Sequence, residues 1–394
     1  MRSIETAPGP LAFPVKDASR LYDRPAGESD TVSIRTLATA LTGMQKEALV
    51  FNGASGQAWR MVCDEGPYLN GTDLAPFPLA FFAVGLILSF MREIEALAET
   101  RGVSLSGLTL VQDNRYTMEG SALKGSMVGG ALPVELTAQA GGPADDDTLR
   151  QLVSDAVAGA PVSGLLKDTL TSLFTLTHNG EAAPPARVAA LKGQPLADPA
   201  PVFDRAVPDP DAEFADDIIL KTQSAEQVTG EGGAGSSLQA EQKRVLHMQT
   251  VARRRDDGLV EATIHLFNPK GSQFRFLGDI DSTGRAPQGL DYLSAGIAFC
   301  YLTQMGRFAH IAKLTLDNYR IVQDTGFSVP GTAARRGTAP LSRPVETHVH
   351  VDSPADRTDI QRLTDMSEQT CFLHAACRTP LKTKIKIDRN AAAA

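Results

Sequence analysis

The chain has 394 residues, more than one typical domain holds, and its 42% hydrophobic and 21% charged residues are ordinary globular values. Its formal net charge of −8 argues against nucleic acid and anionic membranes as partners, because both repel an acidic surface. We therefore expect two domains of roughly 150 residues each, with small molecules as the remaining class of partner.

The four cysteines lack the short, regular spacing of a disulfide scaffold or a zinc site, so we expect reduced thiols and no metal or other cofactor. The first ten residues lack the apolar core of a signal peptide, which favours a cytoplasmic protein. The longest apolar stretch, residues 75–91, contains two prolines and a glycine and is shorter than the ~20 residues that span a bilayer. It predicts a buried core helix rather than membrane attachment.

Residues 1–30 are rich in proline, glycine and charge, and they predict an arm over the surface. Residues 31–178 predict a first domain whose order of elements is α+β, with helices on one face of a mostly antiparallel sheet. Its predicted elements are a meander of three strands, a long helix, two strands, a helix with an acidic first turn, and a last strand or helix: 31–37, 47–51, 58–63, 79–101, 105–113, 129–139, 148–157 and 164–177. The front half of the long helix is apolar nearly all round, so protein must enclose it.

Residues 179–242 contain many prolines and a glycine-rich run at 230–237, which predict a long connection between domains. Residues 243–390 predict a second domain with the order of the first. Its predicted elements are three strands, a long helix, two strands, a helix and a last strand: 244–251, 258–267, 273–278, 290–309, 313–324, 346–352, 356–376 and 381–388. A repeat of this size indicates a duplicated domain, since the repeats of a solenoid are much shorter.

The thiols distinguish the two copies. Cys300 and Cys371 in the second copy stand where the first copy has Ser89 and Ala160, and the displacement is 211 residues at both places. We therefore expect one thiol site per chain, in the second copy.

At this point the residues resemble a known family. Residues 290–300 resemble the cysteine-bearing helix of the OsmC and organic-hydroperoxide-resistance (Ohr) proteins, and Cys371 lies where that family has its second cysteine. Residues 160–163, Ala-Pro-Val-Ser, look like the family's Cys-Pro-Val-Ser with the cysteine replaced. The resemblance covers residues 31–177 and 243–390 and implies two tandem OsmC-like domains.

The resemblance implies thiol-dependent reduction of organic hydroperoxides, with Cys300 as the attacking thiol. A thiolate attacks peroxide, and burial in an apolar helix raises a thiol pKa, so a cation must reach Cys300. Residues 253–258 resemble the hairpin that carries the family's catalytic arginine, and Arg255 is the closest match. The family's acidic position is here Leu290, and Asp291 follows it, which fits the OsmC-like branch better than Ohr.

Attack on the peroxide would leave a sulfenic acid on Cys300, and the resemblance assigns Cys371 as the resolving thiol that condenses with it to a disulfide. The two cysteines can bridge only if their Cα atoms come within about 7 Å. An external dithiol would then recycle the enzyme, as the resemblance implies. Phe372 departs from the family, which usually has proline after the second cysteine.

The apolar front halves of the two long helices predict that the domains pair as an intrachain pseudo-dimer, because pairing buries those surfaces. The active site would lie between the domains. Phe77, Phe81 and Phe82 are its predicted apolar lining for an organic substrate, and His374 is a further predicted substrate-binding residue. Whether two chains pair again as a homodimer of pseudo-dimers stays open.

Two other functions also stay open. The same site could use Cys300 as a nucleophile toward a carbonyl or thioester, with Cys371 or His374 assisting, as a hydrolase. Alternatively, the chain is a non-catalytic small-molecule-binding protein. His348 and His350 lie on one side of a predicted strand, but no third metal ligand accompanies them.

Overall fold

The computed structural model describes residues 2–6, 9–23, 25, 30–122, 124–225 and 242–389; the predicted glycine-rich run 230–237 lies outside these residues. The strands are, in chain order, β1 (Ala12–Pro14), β2 (Thr31–Ala40), β3 (Lys46–Asn52), β4 (Ala58–Cys63), β5 (Ser106–Gly120), β6 (Val128–Ala131), β7 (Glu135–Gly141), β8 (Leu173–His178), β9 (Glu181–Ala183), β10 (Ala189–Ala190), β11 (Ile219–Gln223), β12 (Gln242–Arg254), β13 (Val260–Asn268), β14 (Gln273–Gly278), β15 (Asn318–Ser328), β16 (Glu346–Asp352) and β17 (Lys384–Asp388). The helices are α1 (Ala18–Leu21), α2 (Pro78–Arg101), α3 (Asp146–Gly159), α4 (Pro161–Lys167), α5 (Ala200–Phe203), α6 (Gly289–Ala312), α7 (Thr332–Arg336), α8 (Arg357–Thr370) and α9 (Phe372–Arg378), with a single 3₁₀ turn at Pro67–Leu69.

The strands form two mostly antiparallel sheets, and each sheet takes strands from both copies. One sheet has the order β1-β4-β3-β2-β15-β16-β8-β10, with β9 paired to β8. The other has the order β11-β14-β13-β12-β5-β7-β17, with β6 paired to β5. Each meander therefore continues into strands of the opposite copy, across the β2–β15 pair in one sheet and the β12–β5 pair in the other. The α+β prediction with two mostly antiparallel sheets is confirmed.

Matching hydrogen bonds occur at matching places in the two copies. The side-chain amide of Gln112 donates to the carbonyl oxygen of Ala83 at 3.0 Å. Gln323 donates to the carbonyl oxygen of Ser294 at the same distance. Both residues of the second pair lie 211 positions after those of the first, which is the displacement of the two long helices. We call two residues equivalent when they are related by this displacement.

The long helices α2 and α6 pack against each other at glycines. A Cβ atom on Gly85 would lie 2.6 Å from the carbonyl oxygen of Gly289, and one on Gly296 would lie 2.7 Å from the backbone nitrogen of Phe82. Only hydrogen fits at such a contact, so the two helix backbones approach closely. The apolar front halves of both helices are buried by this packing and by the sheets.

Segments that carried no strand prediction contribute to the sheets. β1, from the predicted arm, pairs antiparallel with β4, and β11, from the predicted connection, pairs antiparallel with β14 at the corresponding edge of the other sheet. Such short strands lack the alternation that reveals a strand, because their pairing is set by the edge they meet. The predicted strand at 129–139 is two strands, β6 and β7, on either side of Pro133, whose nitrogen cannot donate to a ladder.

Within the described ranges, none of the helices has the length and apolarity needed to cross a membrane. The same part of the chain holds no group of three or more His, Cys, Asp or Glu side chains arranged to hold a metal ion. His348 instead makes a hydrogen bond through Nδ1 to the hydroxyl of Thr175 at 2.9 Å.

Candidate thiol site

Cys300 lies in the middle of α6 and is 2% exposed. One side of α6 packs on α2, and another side packs on β2 and β3 of the first copy. Because each sheet combines strands from both copies, side chains from both copies surround Cys300.

Cys371 is placed by a break between α8 and α9. Its backbone is extended, with φ −72° and ψ 118°, so it ends one helix and precedes the next. The equivalent Ala160 has φ −64° and ψ 138°, and Pro161 follows it. The same break thus forms in the second copy without the proline. The helix predicted at 356–376 is therefore two helices with the buried Cys371 between them.

The two thiols are in contact. Burial raises the pKa of Cys300 well above its usual range, and a hydrogen bond to Cys371 raises it further. The backbone N–H of Leu373 donates to Cys300 and acts in the opposite direction. All four cysteines of the chain are unbridged and buried. Cys300 in this state is a protonated thiol beside a second thiol.

His374 contacts the second of these thiols. Its Nδ1 lies 3.2 Å from the sulfur of Cys371, and the ring is fully buried. The rings of Phe174 and Tyr301 pack beside it, at 5.7 Å and 5.4 Å between centroids. Burial lowers the pKa of His374 to about 4, so the imidazole is neutral near pH 7.

A cavity of about 30 Å³ adjoins Cys300, and both copies line it. Its lining residues are Glu65, Tyr68, Leu69, Phe77, Pro78 and Leu79 from the first copy, and Leu246, Leu266, Cys300, Thr303, Gln304 and Phe372 from the second. A space of this size admits groups of about the size of a water molecule. The cavity can hold a peroxide group in contact with the sulfur, whereas a bulky organic substituent has to extend out of it.

Glu65 places a buried carboxyl group in the cavity wall. It accepts hydrogen bonds from the hydroxyls of Thr303 at 3.0 Å and Tyr68 at 3.1 Å. Burial raises its pKa, and the buried ammonium of Lys46 acts in the opposite direction. Glu65 belongs to the first copy, so reasoning from the second copy's own sequence missed it.

Arg307 is the cation that the structure brings near Cys300. It lies two turns after Cys300 on α6, and burial lowers the pKa of its guanidinium while the charges of Glu65 and Cys300 raise it. It also donates to the side chain of Gln304 at 3.1 Å. The helical spacing of seven residues from Cys300 was available in the sequence as a signal for this neighbour.

Arg255, the predicted catalytic arginine, is elsewhere. It makes an ion pair with Asp257 at 3.0 Å at the end of the β12–β13 hairpin. Nine residues along β12 separate it from Leu246 in the cavity wall, or about 30 Å at strand spacing. The physical reason is that each meander pairs with strands of the opposite copy. The hairpin of the second copy packs toward α2, where Arg254 pairs with Glu95 at 2.5 Å.

Asp291, the predicted catalytic acid, is a helix cap. One carboxylate oxygen accepts from the backbone N–H of Gln288 at 2.8 Å and the other from the side chain of Asn52 at 2.7 Å. Burial raises its pKa to about 6. It lies nine residues before Cys300, about 13 Å away along the axis and on the opposite face of α6. The structure gives Asp291 a structural role instead of contact with the thiol.

Of the predicted aromatic lining, Phe77 borders the cavity. Phe81 packs between Phe276 and Phe299, with centroids 5.3 Å and 5.1 Å away, and is fully buried. Phe82 lies against Gly296 in the contact between the two long helices. Phe81 and Phe82 are therefore core residues, since the helix face that carries them is the one that meets α6.

Tyr116 faces the thiols from the first copy. It lies opposite Leu246 in the β5–β12 ladder, so both side chains lie on the face of the sheet that borders the cavity. Its ring packs on Phe372 at 5.7 Å, and its buried hydroxyl has no hydrogen-bond partner among the described residues. Burial raises its pKa, and the thiols of the site, led by Cys300, raise it further. The equivalent residue is Phe327, which has no hydroxyl.

A surface groove of about 740 Å³ lies beside the site. Leu69 lines both this groove and the cavity at Cys300, and Arg307 lines the groove and a neighbouring small cavity. Its other walls include the apolar side chains of Met44, Leu314 and Tyr319. Lys313 and His310, also in its lining, add basic groups.

The equivalent place in the first copy is polar and thiol-free. Ser89 donates to the carbonyl oxygen of Gly85 at 2.9 Å, and a cavity of about 20 Å³ there is also lined by Glu93 and Arg92. Glu93 takes the place of Gln304. At the surface of α2, Glu95 makes an ion pair with Arg254, whereas the residue of α6 equivalent to Glu95 is Gly306. The apolar groove thus accompanies the copy that has the thiols.

The fold and the site together define an α+β protein whose two sheets each combine strands from both halves of the chain, with Cys300 and Cys371 as neighbouring buried thiols. Residues 282–386 match the family model for OsmC-like proteins. A comparison with solved structures found the crystal structure of an OsmC-like hydroperoxide resistance protein from Jannaschia sp. CCS1, 22% identical, with 29% of this chain and 75% of that chain covered and a TM-score of 0.20. That TM-score is too low to carry a structural argument. The comparison with curated proteins found no match.

The chain contains an OsmC-like domain at residues 282–386. This region runs from just before α6 into β17 and includes Cys300 and Cys371. The expected family resemblance is confirmed there.

Proposed function

We propose that this protein reduces organic hydroperoxides, with Cys300 as the attacking thiol and Cys371 as the resolving thiol. The observation that carries the proposal is the contact between these two buried thiols: Cys300, on α6, borders the cavity, and Cys371, between α8 and α9, lies beside it. A thiol that only fills space in a core gains nothing from a second thiol at hydrogen-bond distance.

In the first step the Cys300 thiolate attacks one oxygen of the hydroperoxide ROOH. An S–O bond forms and the O–O bond breaks, so the sulfur is oxidised to a sulfenic acid and the peroxide is reduced to the alcohol ROH. The alkoxide takes up the proton that Cys300 has lost. No cofactor takes part.

Charged groups near Cys300 support this step. Arg307 stabilises negative charge on the sulfur and on the peroxide oxygens, and Glu65 accepts the proton from the thiol. The hydroxyl of Tyr116 is the donor for the oxygen left on Cys300. Arg307 takes over the role that the sequence had assigned to Arg255.

In the second step Cys371 attacks the sulfenic sulfur, and a disulfide and one water form. An external dithiol then reduces the disulfide. The organic part of the substrate lies in the apolar groove, which shares Leu69 with the cavity at Cys300.

The hydrolase alternative uses Cys300 alone as a nucleophile and has no need for a second thiol. The contact with Cys371 therefore favours redox chemistry. A pure binding protein requires neither thiol nor the buried carboxyl group of Glu65, which is costly to bury.

The test is a thiol count and a disulfide map after reaction with cumene hydroperoxide, followed by turnover with dithiothreitol. The proposal expects loss of two thiols per chain and a Cys300–Cys371 disulfide in mass spectrometry. Cys300→Ser is expected to abolish turnover, and Cys371→Ser to stop disulfide formation. Cys63→Ser is the matched control, because this cysteine is also buried but lies in a strand. Full activity of Cys371→Ser would contradict the proposal and favour the hydrolase.

We further propose that the chain arose by tandem duplication, with units at residues 31–178 and 243–390, an arm at 1–30 and a connection at 179–242. A cytoplasmic location and a homodimer of pseudo-dimers are part of the same proposal. Light scattering of the purified protein tests the second of these.

A further inference from the structure

His374 has a buried nitrogen that the structure leaves without a partner. Nδ1 contacts the sulfur of Cys371 at 3.2 Å, whereas Nε2 has no hydrogen-bond partner among the described residues. A buried polar atom without a partner costs on the order of 1–3 kcal/mol. This cost favours a functional role for His374.

The first copy shows what a purely structural residue looks like at this position. The equivalent residue is Ser163, whose hydroxyl donates to the carbonyl oxygen of Val157 at 2.5 Å. That side chain is buried and has its hydrogen bond. The first copy folds with neither the histidine nor the thiol, so the imidazole and Cys371 occur together or not at all.

We propose that His374 is the catalytic base for disulfide formation, accepting the proton of Cys371 as this thiol attacks the sulfenic acid on Cys300. This inference rests on the proposed function. His374 is the base of the second step, whereas Glu65 and Arg307 act in the first step.

The step balances as follows. The S–H bond of Cys371 breaks, its proton moves to Nδ1 of His374, and its electron pair forms the S–S bond to Cys300. The S–O bond breaks and hydroxide leaves. The imidazolium returns the proton to hydroxide, so the step releases one water and no net charge.

The surroundings of His374 suit this role. Because burial lowers its pKa to about 4, the imidazole is neutral near pH 7 and has a lone pair available. The short-lived imidazolium is stabilised by the rings of Tyr301 and Phe174, whose centroids lie within 6 Å, and by the negative charge of Glu368. Arg378 opposes it and is paired with Glu368 at 2.6 Å.

The experiment separates the two steps in the full-length protein. Reduced protein is mixed rapidly with cumene hydroperoxide, and samples are quenched over time. Dimedone labelling measures the sulfenic acid on Cys300, and non-reducing mass spectrometry measures the disulfide. The variants are His374→Asn, whose amide can still bond to the thiol but cannot accept its proton, and His374→Ser, the residue of the first copy.

In both variants we expect Cys300 to be oxidised within twofold of the wild-type rate, while the disulfide forms about 100-fold more slowly and the sulfenic acid accumulates. His348→Asn is the matched control, since this histidine is buried with a pKa also lowered to about 4, but its Nδ1 bonds to the hydroxyl of Thr175 and not to a thiol. It is expected to leave both rates unchanged.

Disulfide formation at the wild-type rate in folded His374→Asn or His374→Ser would overturn the inference. An equal slowing of both steps would also overturn it, because that result indicates a structural role. If the wild-type protein itself gives neither sulfenic acid nor disulfide, the proposed function fails, and this outcome is distinct from the other two. Circular dichroism establishes that each variant is folded before it is compared.

Discussion

Glu93→Gln is expected to stabilise the protein at pH 8 and to leave its stability nearly unchanged at pH 4.5. Glu93 lies on α2 in the thiol-free cavity and is 1% exposed. One carboxyl oxygen accepts from the backbone N–H of Gly331 at 2.7 Å, and the other has no hydrogen-bond partner in the part of the chain that the structure describes. Burial raises the pKa of this carboxyl group to about 7.

The sign follows from the two protonation states. In the unfolded chain Glu93 ionises at its usual pKa of 4.5, whereas in the folded protein it keeps its proton up to about 7. The stabilisation from the neutral group is fully present below pH 4.5 and is lost as the pH rises through 7. At 1.36 kcal/mol per pH unit, the gap between these two pKa values amounts to about 3 kcal/mol of folding free energy. Glutamine stays neutral throughout, and the equivalent residue is already Gln304.

Urea unfolding of the wild type and of Glu93→Gln at pH 4.5 and pH 8 measures this effect. The variant's advantage in free energy of unfolding is expected to grow by about 3 kcal/mol between the two pH values. Glu99→Gln, an exposed position on the same helix, is the control and is expected to show no such growth. An advantage that is the same at both pH values would refute the reasoning, because it would mean that folding does not raise the pKa of Glu93.

Three further predictions concern the site and the fold. Arg307→Ala is expected to slow peroxide-driven oxidation of Cys300 at least tenfold, whereas Arg255→Ala leaves it within twofold; equal effects in stopped-flow thiol assays would contradict our assignment of the cation. Tyr116→Phe introduces the side chain of the equivalent position and is expected to lower turnover about tenfold. Its unfolding temperature is expected to stay at or above that of the wild type, because the change removes an unpaired buried hydroxyl. Unchanged turnover would argue against the hydroxyl as a donor. Gly296→Ala is expected to cost about 1–3 kcal/mol in chemical unfolding, because its methyl group meets the neighbouring helix at 2.7 Å; a neutral result would mean that the helices separate easily.

Much of the fold was predictable because its signals are local. The apolar front of each long helix, the alternation of the meander strands and the glycine caps arise from residues close in sequence, and the helices and strands follow them closely. Cys300 and Cys371 were identified in the same way, from a short motif and its displacement between copies. In the structure, Cys300 lies in the cavity wall and Cys371 lies in contact with Cys300.

The charged part of the site could not be predicted from the same signals. Glu65 and Tyr116 come from the first copy, and Arg255 was assigned from the resemblance of residues 253–258 to the family's arginine hairpin. In the structure, each meander pairs with strands of the opposite copy and packs toward the opposite helix.

By itself, the sequence determined that the chain has two units of one pattern, a long apolar helix in each, and thiols in only the second. The tertiary structure alone decided which groups surround Cys300. Strand pairing across the two copies depends on contacts between residues more than one hundred positions apart, such as Tyr116 and Leu246, and no local periodicity records them. Pairing between the copies places Glu65 and Tyr116 beside the thiols. It leaves Arg255 about 30 Å, at strand spacing, from Leu246 in the cavity wall.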